Sequence, residues 1–262
     1  MSSTINGMLA QKILFAGCSF TADCGFREEN RDKYHWTCLL QQHYNAEQTN
    51  IAIDGCSNDE IFLRSVEASI KNSYDVAIIM WSGLGRRWIY FDHKNIDDFT
   101  IINNGVVTGN NYLQKAACDY AKLHYAYFDN QYMNLKNWLL QSIALANFFK
   151  NRDQPYVFAP GFSNMIDRFA KIRYDQGFVN MDDACKAMLD LDNRPDDYVW
   201  IKVKVLQDLI AQASQLDWLY FHGKNFYDSA IDLADDQEHP GIGSNQKLYQ
   251  QLVTHIDQRK LL

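Results

Sequence analysis

A chain of 262 residues has room for one domain with a well-buried core, and 47% hydrophobic with 22% charged residues excludes a disordered chain. A net charge of −7 without any lysine-rich patch argues against a nucleic-acid partner, because an acidic surface repels phosphate backbones. The six cysteines (Cys18, Cys24, Cys38, Cys56, Cys118 and Cys185) form no C-x-x-C pair and have no histidine at zinc spacing, so they read as reduced, mostly buried thiols.

Met1–Ala10 lacks a basic, apolar leader pattern, and no later run approaches a membrane span. A cytoplasmic protein without a membrane span is therefore expected. In chain order, Lys12–Ala16 (KILFA), closed by Gly17, predicts a buried parallel strand. Thr49–Ile53, closed by Asp54-Gly55, predicts a second strand. Asp59–Lys71 places Ile61, Phe62, Ser65, Val66, Ser69 and Ile70 at helical spacing. Val76–Trp81, closed by Ser82-Gly83, predicts a third strand.

Phe99–Thr108 carries two β-branched runs around Asn-Gly and predicts a hairpin insertion. Tyr112–Phe149 predicts one long helix or two. Pro155–Ala159, closed by Pro160-Gly161, is the fourth strand. Tyr198–Ala213 reads as helix, Asp217–Phe221 with His222-Gly223 as a fifth strand, and Gln246–Ile256 as the last helix. Strands alternating with helices predict an α/β fold: a single domain over 1–262 whose parallel sheet is covered on both faces. In open sheets of this kind ligands bind at the carboxyl ends of the strands, where the glycine-containing loops lie.

Two of these loops carry groups suited to catalysis. Ser19 follows the first strand in Gly17-Cys18-Ser19-Phe20-Thr21. A serine hydroxyl needs a base to become a nucleophile, and a turn just after a strand can aim backbone N–H groups at an oxyanion. Helix capping is the other common use of such a serine. Cys18 is the rival nucleophile, but neighbouring residues near a strand end point opposite ways, so Cys18 is assigned to the core.

Near the other end stands Asp235-Asp236-Gln237-Glu238-His239-Pro240-Gly241. A carboxylate three residues before a histidine can fold back onto its ring and fix its tautomer. Asp232 and Asp235 compete with Asp236 for that role, and spacing favours Asp236. His35, His43, His93, His124 and His255 have no such neighbour; His222 draws attention only by ending the fifth strand.

Together these segments resemble the SGNH/GDSL hydrolases. Lys12–Thr21 (KILFAGCSFT) resembles the family's first block, Asn50–Ile61 (NIAIDGCSNDEI) its second, and Asp236–His239 its Asp-x-x-His block before the last helix. The resemblance implies a three-layer α/β/α sandwich with strand order 2-1-3-4-5. It implies a Ser19–His239–Asp236 triad, an oxyanion hole that includes Ser19 and Gly55, and no metal or organic cofactor. The expected function is hydrolysis of an ester of a small molecule or glycan through an acyl-enzyme. Acyl transfer on the same site, or a non-catalytic binding module, are the alternatives; the oligomeric state is open.

The chain departs from the family in two places. Cys18 replaces the usual aspartate before the serine. After the third strand the family's asparagine is missing, and Trp81-Ser82-Gly83-Leu84-Gly85-Arg86-Arg87 stands instead. Asn58 or Ser82 is the expected substitute donor, with helix capping as the competing role for Asn58. Arg86 and Arg87 are candidates for binding a substrate carboxylate or phosphate, against an ordinary solvated loop.

Overall fold

The computed structural model describes residues 11–22, 24–90, 99–103, 106–109, 114–123, 131–162, 196–219 and 225–262. Among the described residues seven strands are seen: β1 (Lys12–Ala16), β2 (Glu47–Asn50), β3 (Val76–Trp81), β4 (Arg87–Tyr90), β5 (Phe99–Asn103), β6 (Val106–Gly109) and β7 (Tyr156–Pro160). The helices are α1 (Glu28–Tyr34), α2 (Trp36–Tyr44), α3 (Asn58–Lys71), α4 (Gln114–Leu123), α5 (Gln131–Lys150), α6 (Asp196–Ala213) and α7 (Ile242–Arg259).

The main sheet is parallel in the order β2-β1-β3-β7. All of β3 and β7 and the last four residues of β1 are buried, as expected for strands covered by helices on both faces. The core joins Phe15, Ile78, Ile79 and Phe158 of the sheet to Trp36 of α2, Trp138 of α5 and Leu252 of α7. Among the described residues, no helix is long and apolar enough to cross a membrane.

One strand prediction needs correction. The second strand lies at Glu47–Asn50, earlier than Thr49–Ile53, because it is the sheet edge and its polar residues face solvent. The apolar stretch that drew the prediction still follows β1, with the Ile51 and Ile53 N–H groups donating to the Phe15 and Gly17 carbonyls at 2.9 and 3.3 Å. The predicted fifth strand is described only over Asp217–Leu219, where Trp218 bridges Phe158 in parallel, the Phe158 N–H donates to the Asp217 carbonyl and the Leu219 N–H to the Phe158 carbonyl, both at 2.8 Å. Tyr220, Phe221, His222 and Gly223 lie outside the described residues.

The insertion after β3 is larger than a hairpin. β4, β5 and β6 form a three-stranded antiparallel sheet, with Asn103 opposite Val106 across the predicted turn. The turn residues Asn104 and Gly105 lie outside the described residues. Arg87 is not in a loop: it opens β4, opposite Ile102. None of the five described cysteines is in a disulfide.

Candidate active site

The loop after β1 is shaped by its glycine. A side chain at Gly17 would collide with that of Thr21 and come within 3.0 Å of the Met80 carbonyl. The turn is closed by Thr21 and Ala22 N–H groups on the Cys18 carbonyl, at 2.9 and 3.0 Å, and by Cys24 N–H on the Ser19 carbonyl. Cys18 is fully buried in the core and Ser19 is 3% exposed. Ser19 lies in the turn, ahead of α1, and does not cap a helix. Among the described residues neither its hydroxyl nor its backbone N–H makes a hydrogen bond, which is unusual for a buried N–H.

At the second loop, the Asp-x-x-His segment folds back on itself. The Asp236 carboxylate accepts the backbone N–H groups of Glu238 and His239, both at 3.0 Å, and meets His239 Nδ1 at 2.5 Å. Partial burial alone would raise the Asp236 carboxyl. The two backbone bonds and the bond from the ring outweigh it and hold the carboxyl below its ordinary value. An ionised carboxylate only accepts, so Nδ1 carries a proton, and in the neutral ring this tautomer leaves the lone pair on Nε2. No described hydrogen bond joins Nε2 to Ser19.

The competing carboxylates are engaged elsewhere. Asp232 accepts the Gly243 and Ser244 N–H groups at 2.7 and 2.8 Å and the Ser244 hydroxyl, capping α7, whose own N-cap residue is Gly241. Asp235 accepts the Arg27 N–H at 3.4 Å and pairs with its guanidinium. The loop itself is pinned as a small antiparallel ladder, with Ala234 N–H on the His239 carbonyl and Gly241 N–H on the Asp232 carbonyl.

The two loops are packed against each other. The Phe20 ring, next to Ser19, meets the His239 ring edge-on with centroids 5.7 Å apart. Gly25 sits at φ +91°, and a Cβ there would lie 2.8 Å from His239 Cβ and 2.9 Å from an Asp236 oxygen. Only glycine permits both the backbone angle and the approach.

Around this junction lie the remaining sequence candidates. Gly55 has φ +70° in the turn before α3, and its N–H finds no acceptor among the described residues. Asn58 is buried and grips the end of β3: its Nδ2 donates to the Ser82 carbonyl at 3.1 Å and its Oδ1 accepts the Ser82 N–H at 2.7 Å. Helix capping was the competing role for Asn58, but Ser57 fills it, its hydroxyl accepting the Glu60 N–H at 3.4 Å.

The Ser82 hydroxyl accepts from Arg86 Nη1 at 3.0 Å. The Arg86 guanidinium lies 4.7 Å over the Phe162 ring, which stacks on Phe20 at 4.6 Å. The side chain of Arg87 lies outside what the structure describes. Phe20, Phe162 and Tyr227 form an aromatic wall that sequence reasoning missed, because only β7 and its following turn bring Phe162 beside Phe20.

No protein-family model matches the sequence, and comparison with curated proteins finds no match. Solved structures do match. TesA aligns with a TM-score of 0.50 and 11% identity, covering 96% of this chain and 100% of that one. The psychrotrophic esterase EstA from Pseudoalteromonas sp. gives 0.45 and 11%, covering 95% and 97%. A GDSL-like lipase from Bacteroides thetaiotaomicron gives 0.45 and 12%, covering 95% and 89%. The likeness to TesA spans nearly the whole chain and establishes the architecture as the SGNH-hydrolase fold.

Proposed function

We propose that this protein is a serine hydrolase that cleaves an ester of a small molecule or glycan, with Ser19, His239 and Asp236 as its triad. The observation that carries the reading is the Asp236-held imidazole of His239, packed beside the turn that bears Ser19. In this reading Ser19 Oγ attacks the acyl carbon while His239 Nε2 takes its proton. The carbonyl oxygen becomes an oxyanion, and Asp236 stabilises the imidazolium. His239 then protonates the leaving alcohol as the C–O bond breaks. Water, deprotonated by the same nitrogen, attacks the acyl-enzyme and releases the acid. No step calls for a metal or organic cofactor.

The oxyanion is assigned to the backbone N–H groups of Ser19 and Gly55, since neither has another acceptor among the described residues. Asn58 is assigned as the third donor. Its amide is fixed by two bonds to the Ser82 backbone, at the strand end where the family resemblance expects an asparagine, and one Nδ2 hydrogen remains uncommitted among the described contacts. The Ser82 hydroxyl is the second candidate, although it is already oriented by Arg86.

Arg86 and Arg87 are assigned to an anionic group on the substrate. For Arg86 the support is its anchoring on Ser82 and Phe162, one ring away from Phe20. The test is turnover of p-nitrophenyl acetate by wild type and Ser19→Ala. The hydrolase reading requires a loss of at least about a thousandfold, leaving only catalysis by the oxyanion hole. Equal rates in the two proteins contradict it.

A further inference from the structure

Beneath the two loops runs a buried polar path that the proposed chemistry does not itself use. The Phe20 carbonyl, one residue after Ser19, accepts two ring donors: Trp36 Nε1 at 2.8 Å and His35 Nε2 at 3.2 Å. His35 Nδ1 in turn meets the Thr37 hydroxyl at 2.8 Å. A carbonyl can only accept, so the His35 proton sits on Nε2 and Nδ1 accepts from Thr37. Burial pushes the His35 pKa down to about 4, which keeps the ring neutral at pH 7.

On its other side, the Trp36 backbone N–H donates to Asn245 Oδ1 at 3.2 Å. Asn245 Nδ2 then donates to the Pro240 and Gly241 carbonyls, both at 2.9 Å. Pro240 directly follows His239. His35, Trp36 and Asn245 are each at most 2% exposed. One Trp and one Asn thus join the peptide beside the proposed nucleophile to the peptide beside the proposed base, across the α2–α7 contact.

We propose that His35, Trp36 and Asn245 are positioning residues that fix the Ser19 turn against the His239 loop. The inference rests on the Ser19–His239 reading above. A buried network with every donor and acceptor matched holds its ends more rigidly than apolar packing, and proton transfer from Ser19 to His239 is sensitive to shifts of about 1 Å. Without Trp36 Nε1 the Phe20 carbonyl keeps only the longer bond from His35 Nε2, so that loss leaves a less constrained turn rather than a rearranged core.

The experiment measures kcat, KM and Tm for p-nitrophenyl acetate hydrolysis, with the rate of Ser19 labelling by a fluorophosphonate. The variants are Trp36→Phe, Asn245→Ala, their double variant, His35→Gln and His35→Ala. Phe149→Leu serves as a stability control in the core, away from both loops, and Ser19→Ala as the chemical control. Trp36→Phe and Asn245→Ala should each lower kcat and labelling by about tenfold or more with KM within about twofold. The double variant should lose less than the product of the two, because both sit on one path.

His35→Gln, which keeps an amide donor, should retain more turnover than His35→Ala. Phe149→Leu should lower Tm and leave kcat unchanged. If kcat follows Tm across every variant, Phe149→Leu included, the network is only structural and the inference is wrong, while the Ser19→Ala control still upholds the hydrolase reading. Should Trp36→Phe not fold, Asn245→Ala and the His35 pair decide the question alone. If the wild type is not labelled at Ser19, both the inference and the reading beneath it fail.

Discussion

Among the described residues stand two carboxylate–imidazole pairs of nearly equal length, Asp236–His239 at 2.5 Å and Asp217–His255 at 2.6 Å, in two different regions. The first lies just before α7 and the second thirteen residues into it, a separation of about 20 Å along a helix. Asp236 takes its remaining hydrogen bonds from the backbone of its own loop, whereas Asp217 also pairs with Arg259 at 3.4 Å. The His239 ring packs on the turn that carries Ser19. Among the described residues, no serine, threonine or cysteine lines the surface cavity of about 470 Å³ beside Asp217 and Arg259. A histidine held by a carboxylate is thus common chemistry; its place relative to a strand end and a nucleophile is what makes it a candidate base.

That contrast can be broken at its strongest point first. His239→Ala should lower ester turnover by about 10⁴-fold or more, and Asp236→Asn by a comparable factor because the ring loses the tautomer that leaves Nε2 unprotonated. His255→Ala and Asp217→Asn should leave kcat within about twofold and show their effect only in thermal unfolding. Steady-state kinetics on purified, folded variants decides between the two pairs; equal losses at both would erase the distinction.

A smaller effect is expected at the oxyanion. Asn58→Ala should reduce kcat by about a hundred- to thousandfold with little change in KM, the range for loss of one oxyanion donor. Ser82→Ala should cost less, because the Asn58 bonds run to the Ser82 backbone and survive the substitution. Circular dichroism must show both variants folded. A smaller loss for Asn58→Ala than for Ser82→Ala would reverse the assignment of the third donor.

The third contrast is between histidines. His35 is buried with its pKa lowered to about 4 from an ordinary 6.5, chiefly by desolvation. Its folded value lies below its unfolded one, so the unfolded chain binds the proton first as the pH falls. The stability is therefore complete above pH 6.5 and is lost on the way down to about pH 4. Urea unfolding should show a loss of roughly 2–3 kcal/mol between about pH 7 and pH 4.5. His35→Gln should flatten that slope, and an unchanged slope would show that other groups carry it.

Much of this was legible in the sequence, for identifiable reasons. β3 was read to the residue because a fully buried parallel strand is a continuous apolar run. Asp236 was separable from Asp232 and Asp235 because a three-residue spacing closes the turn onto the ring. β2 was misplaced because an edge strand carries polar residues, while the apolar run beyond it keeps hydrogen bonds to the β1 side without extending the strand. The role of Asn58 as a clamp on Ser82 was hidden because it spans 24 residues. His35, Trp36 and Asn245 gave no signal at all: the bonds that tie His35 and Trp36 to Phe20 and Trp36 to Asn245 bridge 15 to 209 residues, and a tryptophan or histidine in an apolar context reads as core.

The most direct measurement is to locate the covalent adduct of a fluorophosphonate by peptide mass spectrometry. The phosphorus is attacked by an activated serine with loss of fluoride, so the reaction reports nucleophile and base together without knowledge of the natural ester. The account predicts one adduct, on the peptide containing Ser19, absent in Ser19→Ala and slowed by at least about a thousandfold in His239→Ala. An adduct on another residue, or labelling of Ser19 at an undiminished rate in His239→Ala, would contradict it.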